Sequence, residues 1–367
     1  MKFSKLKEKN RSDTAEEDLS SAVFGGKKDK LKKIAYPIIL LAAAVLTFVI
    51  FVASISTGLS KIPFGTVIKI LWNEIHKIPQ TWTNMQGLAV IGIRLPRTLA
   101  ALLIGSGLSL AGASYQSLFK NPMVSPDILG VSSGAAVGAA IAILIKADIV
   151  YIEIGAFIGG ICAVMLTALI PKLVRNKSIV VLVLSGIIVG GLTSSLMSII
   201  RMLADPQTTL ADITYWTMGS LARVKMNEIT VIGPIIAACI VILLLLRYRL
   251  NVLSLGESEA KSLGVNIGRT RAVVIVCSTL LTACSVSIAG TIGWVGLVIP
   301  HISRMITGPD NKKMLPIAIF LGGVFMMIMD LLARTLSVTE IPISVLTGII
   351  GAPFFFLILL KQRRNVS

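Results

Sequence analysis

Ten long apolar segments, almost free of charged residues, alternate along the chain with shorter polar segments. A helix needs about 20 apolar residues to cross a hydrocarbon core of roughly 30 Å. Closed barrels also pair every backbone group in lipid, but their strands alternate in polarity, whereas these segments are continuously apolar. The pattern predicts an all-α polytopic membrane protein with ten transmembrane helices. They are expected at 34–56, 97–119, 129–146, 151–172, 178–203, 228–247, 270–290, 292–306, 314–336 and 341–360.

The third and eighth segments are too short for an ordinary span, and we expect half-helices or tilted helices that neighbouring helices bury. Small residues also recur at intervals of four, which lets two helices approach closely. Packing within the bundle is favoured over contacts between subunits. The spaced glycines are Gly130, Gly134 and Gly138, then Gly155 and Gly159, then Gly186 and Gly190.

Composition and charge agree with a membrane location. Hydrophobic residues form 54% of the chain and charged residues 14%, against about 25% charged residues in soluble domains. Ten spans place both termini on one side, and that side receives the larger share of the 35 basic residues. The positive-inside rule therefore puts both termini in the cytoplasm of a multi-pass plasma-membrane protein. The net charge of +17 is better explained by basic loops on the cytoplasmic side, and by their attraction to anionic lipid headgroups, than by binding to nucleic acid.

The chain divides into a tail and a membrane domain. Residues 1–33 mix lysine with acidic residues and predict a basic, disordered cytoplasmic tail whose role is open. Residues 34–363 form the transmembrane domain. A signal peptide would place its apolar stretch nearer the start, so the first span is expected to be a retained anchor.

Sequence motifs for covalent chemistry are missing. The chain has no phosphate-binding loop, nucleophile elbow or dinucleotide fingerprint, so it is not expected to hydrolyse ATP or act as an enzyme. The two histidines, His76 and His301, lie far apart and predict no metal site. The cysteines fall in apolar segments and are interpreted as small buried hydrophobes. They are Cys162, Cys239, Cys277 and Cys284.

Ionisable residues in the spans lie near span ends rather than at mid-membrane. The candidates for a relay or binding role are Arg201, Asp330 and Arg334, all near the outer ends of their spans, and the last two could pair four residues apart. A snorkelling pair and a functional pair remain open alternatives. Ion-driven carriers usually keep such groups at mid-membrane, so the pattern favours a partner that supplies energy. An autonomous secondary transporter and a membrane-embedded enzyme are the other hypotheses.

A weak internal similarity predicts a duplicated unit. Residues 108–112 (LSLAG) resemble residues 286–290 (VSIAG). The same offset of 178 residues relates Pro122 to Pro300 and Gly130 to Gly308. An odd number of spans separates the copies, so they would form an inverted repeat, as in many transporters.

Segment 254–264, between the sixth and seventh spans, predicts a short cytoplasmic helix. Ser254 and Glu257 have capping-box spacing, and Gly264 suits a left-handed helix stop. Glu257 could pair with Lys261. Leu255, Ala260 and Leu263 would form a small apolar surface, which a motor subunit could hold. An ordinary amphipathic connector is the alternative.

Several longer motifs occur in a fixed order, and together they resemble the FecCD/BtuC-type permease family of iron–siderophore, haem and vitamin B12 ABC importers. The likeness covers roughly residues 35–363. The motifs lie at 94–101, 112–116, 121–131, 255–257, 262–265, 289–301, 308–310, 340–342 and 347–354.

The resemblance implies the architecture of a type II ABC importer permease. A second permease subunit, identical or paralogous, would complete the membrane path. Two cytoplasmic ATPase subunits would use ATP and Mg, and an extracytoplasmic binding protein would deliver the cargo. This chain would bind no cofactor itself. An iron–siderophore chelate is the leading cargo, with haem or cobalamin as alternatives.

The resemblance also implies roles for particular residues. Arg94, Arg97 and Arg334 would dock acidic residues of the binding protein, because a guanidinium group binds carboxylates through two donors. Asn121, Pro122 and Met123 would form a cytoplasmic gate. The tryptophans of the outer loop 61–86, Trp72 and Trp82, are expected to anchor at the membrane interface. The ATPase-coupling residues would be Leu255, Gly256, Glu257, Glu259, Ala260, Leu263 and Gly264.

Overall fold

The computed structural model describes residues 36–58, 62–76, 79–176, 178–337 and 339–363. These residues form helices and turns, and no β-strand occurs among them. The chain divides into two units, Met1–Val45 and Leu46–Ser367. The described part of the first unit is helical from residue 36. The predicted disordered tail, 1–33, lies outside the described residues.

Each of the ten predicted spans corresponds to one helix, so the all-α, ten-helix prediction is confirmed for the described residues. Seven helices are long and apolar enough to cross a membrane, and three are shorter. The long ones are α1 (Tyr36–Ser56), α3 (Asn84–Leu118), α5 (Ile149–Leu173), α6 (Ile179–Leu203), α8 (Met226–Leu245), α11 (Ile267–Ala289) and α13 (Asn311–Ala333). The shorter ones are α4 (Val131–Leu144), α12 (Val295–Thr307) and the apolar part of α14, Ile343–Leu357, which continues as helix to Arg363.

Among the described residues, four further α-helices and the 3-10 helix Pro126–Leu129 lie between the spans. The sequence analysis did not predict α2 and α7, and it treated α9 and α10 as one helix. They are α2 (Phe64–His76), α7 (Thr209–Met218), α9 (Arg247–Leu255) and α10 (Glu257–Ser262).

Helix α3 is the centre of the bundle, and glycines let its neighbours touch its backbone. A Cβ atom on Gly112 would lie 1.8 Å from the carbonyl oxygen of Gly296 in α12. A Cβ atom on Gly105 would lie 2.2 Å from the carbonyl oxygen of Gly322 in α13. Neither distance is possible for a real side chain, so α3, α12 and α13 depend on these glycines for their packing.

The spaced glycines of α4 and α5 also pack within the chain, as predicted. A Cβ atom on Gly134 would meet the carbonyl oxygen of Gly159 at 2.5 Å, and one on Gly138 would meet that of Gly155 at 2.0 Å. In α6, a Cβ atom on Gly186 would lie 2.0 Å from the carbonyl oxygen of Ile128, whereas no atom lies within 4 Å of a Cβ on Gly190.

The predicted repeat has the wrong register. Gly112 lies inside α3 whereas Gly290 ends α11, and Pro122 lies in a turn whereas Pro300 lies inside α12. The helix lengths nevertheless repeat, because each half of the bundle has a short helix in third place. The short helices α4 and α12 begin at Val131 and Val295, a smaller offset than 178. Five helices per half would invert one half relative to the other.

Contacts between helix ends define two ends of the bundle. At the first, called here the arginine end, the end of α1 and the start of α3 contact the end of α13. The second is called here the short-helix end, after the short helices α9 and α10 that lie there. At this end, Asn251 of α9 donates to Asp310 before α13 at 2.6 Å, and Ser117 of α3 donates to Asn311 at 2.7 Å. Helix α11 has 23 residues, so the ends are about 35 Å apart.

Candidate functional site

A buried cluster of charged residues occupies the arginine end, with Arg97 at its centre. The Nε atom of Arg97 donates to Asp330 Oδ1 at 2.5 Å, and its Nη1 atom donates to Glu340 Oε1 at 2.6 Å. Arg97 is only 4% exposed and Asp330 is fully buried. One guanidinium group therefore joins α3 to α13 and to the segment before α14.

Arg334 extends the cluster to α1. Its Nη2 atom donates to the backbone oxygen of Ser54 at 2.6 Å and to the Ser54 hydroxyl at 2.7 Å. Its Nε atom lies 3.4 Å from Asp330 Oδ2, so the predicted pair four residues apart does form. Because Arg334 is 7% exposed, the pair lies inside the protein and does not snorkel toward water.

Arg94 completes the set from the wide turn at the start of α3. Residues 88–94 of α3 have π-helical hydrogen bonding, and Arg94 is the last of them. Its Nη1 atom donates to the backbone oxygens of Ile55 and Ser56 at 3.1 and 2.9 Å. Gly58 lies just after the end of α1, and a Cβ atom on it would lie 2.8 Å from Arg94 Nη2. The guanidinium group therefore packs closely against the backbone that follows α1.

The three arginines predicted to dock a partner are thus buried and bonded within the chain. Their observed role is to hold α1, α3 and α13 together, and their docking role stays a prediction. Glu340 is the accessible member of the cluster, with 38% of its side chain exposed. Sequence analysis missed its pairing with Arg97, because the two residues lie 243 positions apart and no spacing rule connects them.

A cavity of about 630 Å³ opens beside the cluster. Charged residues of both signs line it, including Glu153, Asp212, Arg223 and Glu340, together with Trp216 of α7. The described residues contain no group of three or more histidine, cysteine or acidic side chains that could hold a metal ion.

At the short-helix end, the predicted single helix is interrupted. Helix α9 continues through Ser254, whose hydroxyl donates to the backbone oxygen of Asn251 at 2.6 Å. The predicted capping box is therefore wrong, since Gly256 caps α10 and α9 already occupies the residues before it. The predicted left-handed stop is confirmed: Gly264 has a φ of +75°, and the Val265 amide donates to Ala260 at 2.9 Å.

Two of the three predicted apolar side chains are exposed, one at the last residue of α9 and one just after the end of α10. Leu255 and Leu263 are 66% and 58% exposed, whereas Ala260 is fully buried and fixes α10 to the bundle. Glu257 pairs with Arg271 of α11 at 2.9 Å rather than with Lys261, so the predicted pair within the helix is wrong. The ion pair connects α10 directly to α11.

Glu259 carries the exposed negative charge of α10. Hydrogen bonds from its own backbone amide and from the Ser258 hydroxyl, the latter at 2.9 Å, hold the pKa of this carboxyl below its usual range. The side chain is therefore ionised at neutral pH and is available to a basic partner surface.

The predicted gate residues lie in the turn after α3, at the same end. Asn121, Pro122 and Met123 are all exposed, and Met123 is 56% exposed. The Asn121 side chain accepts a hydrogen bond from the Met123 amide at 2.9 Å, which fixes the shape of the turn. Their gating role stays a prediction.

The cysteine interpretation needs one correction. Cys239, Cys277 and Cys284 are buried, as predicted, but Cys162 is exposed on α5. The outer surface of a membrane helix can be apolar, so an apolar segment does not identify which of its cysteines faces inward.

Comparison with known proteins gives consistent matches over nearly the whole chain. A sequence profile of the FecCD transport family matches residues 46–361. The molybdate import permease MolB of Haemophilus influenzae is 38% identical over 331 residues, which cover 90% of this chain and 98% of that protein. A probable iron chelatin permease of Helicobacter pylori (strain 26695) is 34% identical over 299 residues, covering 80% and 90%.

A solved structure supports the same fold. An inward-facing metal-chelate type ABC transporter matches with a TM-score of 0.78 and 37% sequence identity. The match covers 89% of this chain and all of the matched chain. The ten-helix bundle described above is accordingly the architecture of a type II ABC importer permease.

Proposed function

Given that the chain belongs to the FecCD transport family of ABC importer permeases, we propose that it moves an iron–siderophore chelate into the cytoplasm. The observation that carries the transport part of this proposal is the exposed helix α10, which is tied to α11 by the Glu257–Arg271 pair. Among the ABC importers that the chain resembles, one relative is named for an iron chelate and one solved structure for a metal chelate.

Energy would enter at the short-helix end. Two partner ATPase subunits, using ATP and Mg, would each hold one permease through the exposed leucines that flank α10, Leu255 and Leu263, and through the carboxylate of Glu259. Because Ala260 is buried and Glu257 binds Arg271, a push on α10 would move the start of α11. The movement would then shift the bundle between outward and inward access.

By the positive-inside rule, the basic residues near α10 support a cytoplasmic position for the short-helix end. The opposite end would then face outward, where a substrate-binding protein would deliver the chelate. Acidic groups of that protein would bind Arg94, Arg97 and Arg334, and to reach Arg97 they would have to displace the accessible carboxylate of Glu340 from it.

A second permease subunit, identical or paralogous, would complete the path, with Asn121, Pro122 and Met123 of each copy forming the cytoplasmic gate. The cargo would pass without covalent chemistry, and hydrolysis would remain with the partner subunits. The cavity beside Glu340 supports a path of weak contacts, which is what a bulky chelate requires.

The cargo has a second candidate that the sequence analysis did not consider. The 38% identity to a molybdate permease favours an oxyanion as the alternative, beside haem and cobalamin. A molybdate ion is far smaller than a siderophore complex, so the two cargoes make different demands on the path.

Uptake by cells that lack this permease, with and without the restored chain, separates the candidates. We expect restoration to bring back uptake of radiolabelled iron–siderophore, with molybdate, haem and cobalamin uptake unchanged. Restored molybdate uptake without iron uptake would replace the proposed cargo and leave the permease role intact.

A further inference from the structure

Helix α2, which lies between the first two spans, has two apolar faces. The inner face carries Val67 and Ile70, which are 1% and 2% exposed. These side chains share one buried cluster with Ile55 near the end of α1 and Val90 near the start of α3. Helix α2 is therefore packed firmly onto the arginine end of the bundle.

The outer face of α2 carries a row of large apolar side chains. Phe64, Ile68 and Trp72 follow one another at intervals of four and are 52%, 47% and 53% exposed. Residues four apart lie above one another on a helix, so the three form a single line. The Trp72 ring also stacks on His76 with 4.4 Å between ring centres, which extends the line to the helix end.

Helix lengths place α2 at the membrane boundary. The 21 residues of α1 span about 31 Å, close to the thickness of a hydrocarbon core, so Ile55 lies near the core edge. Helix α3 has 35 residues, about 52 Å, and therefore extends beyond the core by about 20 Å. The buried arginines near its start place this excess at the arginine end, where Val90 contacts α2.

We propose that α2 lies flat on the membrane surface at the arginine end, with Phe64, Ile68 and Trp72 inserted between lipid headgroups. Interfacial helices bury an apolar face about 5–10 Å into the boundary between headgroups and acyl chains. Tryptophan favours this depth because its ring is apolar and its N–H can still bond to water or headgroups. The exposed Lys69 can reach lipid phosphates from the side of the helix.

Lipid is favoured over a protein occupant because α2 lies at the level of the core edge and because exposed apolar side chains continue from α2 onto the start of α3. The start of α3, which packs under α2 and projects beyond the hydrocarbon core, also exposes Met85 and Leu88 at 76% and 61%. The two tryptophans of this loop also differ. Trp82 is half-buried, packs in the inner cluster and lies 3.4 Å from the Cβ position of Gly87, so it does not take part in the lipid contact.

Fluorescence quenching tests the proposal on the full chain in nanodiscs of brominated phosphatidylcholine. Trp72 is one of four tryptophans, so Trp72→Phe is expected to remove the share of lipid-quenched emission that this residue contributes. The matched control, Trp82→Phe, is expected to leave the quenched emission unchanged. An unchanged quenched emission in Trp72→Phe would overturn the proposal.

Spin labels supply a second measurement that does not depend on tryptophan. A label at Ile68→Cys is expected to collide more often with oxygen than with a water-soluble nickel complex, and a label at Glu74→Cys to show the reverse order. Nickel access at both positions would refute lipid contact. If the nickel access at Ile68→Cys were then lost on adding a purified binding protein, the surface would be a protein docking face.

Discussion

Replacing Asp330 with asparagine tests the buried arginine cluster most severely. Asp330 accepts from Arg97 at 2.5 Å, lies 3.4 Å from Arg334 and is fully buried. Asparagine keeps the shape of the side chain but removes its charge. Two guanidinium groups would then share Glu340, whose side chain is 38% exposed, as their remaining acidic partner in the cluster.

The expected cost follows from burial. Removing one partner of a buried ion pair typically costs about 3–5 kcal/mol, because the remaining charge is left without compensation. The matched control is Glu257→Gln, which removes an exposed pair at 2.9 Å. Exposed pairs contribute about 0.2–1 kcal/mol. If 1 kcal/mol shifts the melting temperature by about 2 °C, we expect a loss of about 6–10 °C for Asp330→Asn and below about 2 °C for the control.

Thermal unfolding in nanodiscs, followed by intrinsic fluorescence and by loss of monodisperse protein, measures both variants. The double variant Asp330→Leu/Arg97→Met is expected to recover part of the loss, since well-packed apolar residues often replace a buried pair at little cost. Equal shifts for Asp330→Asn and Glu257→Gln would refute the assignment of Asp330 as the buried anion of the cluster.

Four further predictions concern packing and the short-helix end. Gly112→Ala would force a methyl group to 1.8 Å from the backbone of α12, and we expect it to lower the free energy of unfolding by about 1–3 kcal/mol or more, measured by thermal unfolding. Gly190→Ala, with no atom within 4 Å, should be neutral or stabilising by up to about 1 kcal/mol. Proline cannot adopt the φ of +75° found at Gly264, so Gly264→Pro should separate ATP hydrolysis from transport in reconstituted complexes. Asparagine tolerates this conformation, and Gly264→Asn should retain coupling. Full transport by the proline variant would contradict the role of this turn. Leu263→Ser, which changes an exposed side chain, should weaken ATPase binding in co-purification while the free energy of unfolding stays within about 0.5 kcal/mol of the parent. Unchanged binding would exclude the leucine from the contact.

The transmembrane helices were predictable because lipid imposes a local rule. A continuous apolar segment gains transfer free energy residue by residue, so its place in the sequence is enough to locate it. The short third and eighth helices followed from the same rule, as did the left-handed stop at Gly264. Spaced glycines correctly indicated close packing of α4 against α5, because small residues at intervals of four share one helix face.

The buried cluster could not be predicted in the same way. Arg97 and Glu340 meet only because α3 and the segment before α14 reach the same end of the bundle. The interrupted helix at Gly256 escaped prediction for a related reason. Ser254 fits a capping box in isolation, but α9 extends through it, and neighbouring structure decides between two locally acceptable patterns.

The repeat register failed because sequence similarity between glycine-rich spans carries little positional information. Gly112 and Gly290 match in sequence, yet one permits contact between helices and the other ends a helix with a φ of +70°. Helix length proved the better indicator, since the short third helix occurs in both halves.

Uptake into proteoliposomes tests the central claim, that a partner ATPase acting through α10 drives cargo through this chain. Vesicles would contain the chain with or without its ATPase subunits, with ATP present on the side of α10 and the binding protein on the other. We predict accumulation of radiolabelled iron–siderophore only when ATPase and ATP are both present. Accumulation driven by an ion gradient in vesicles that contain this chain alone would contradict the account.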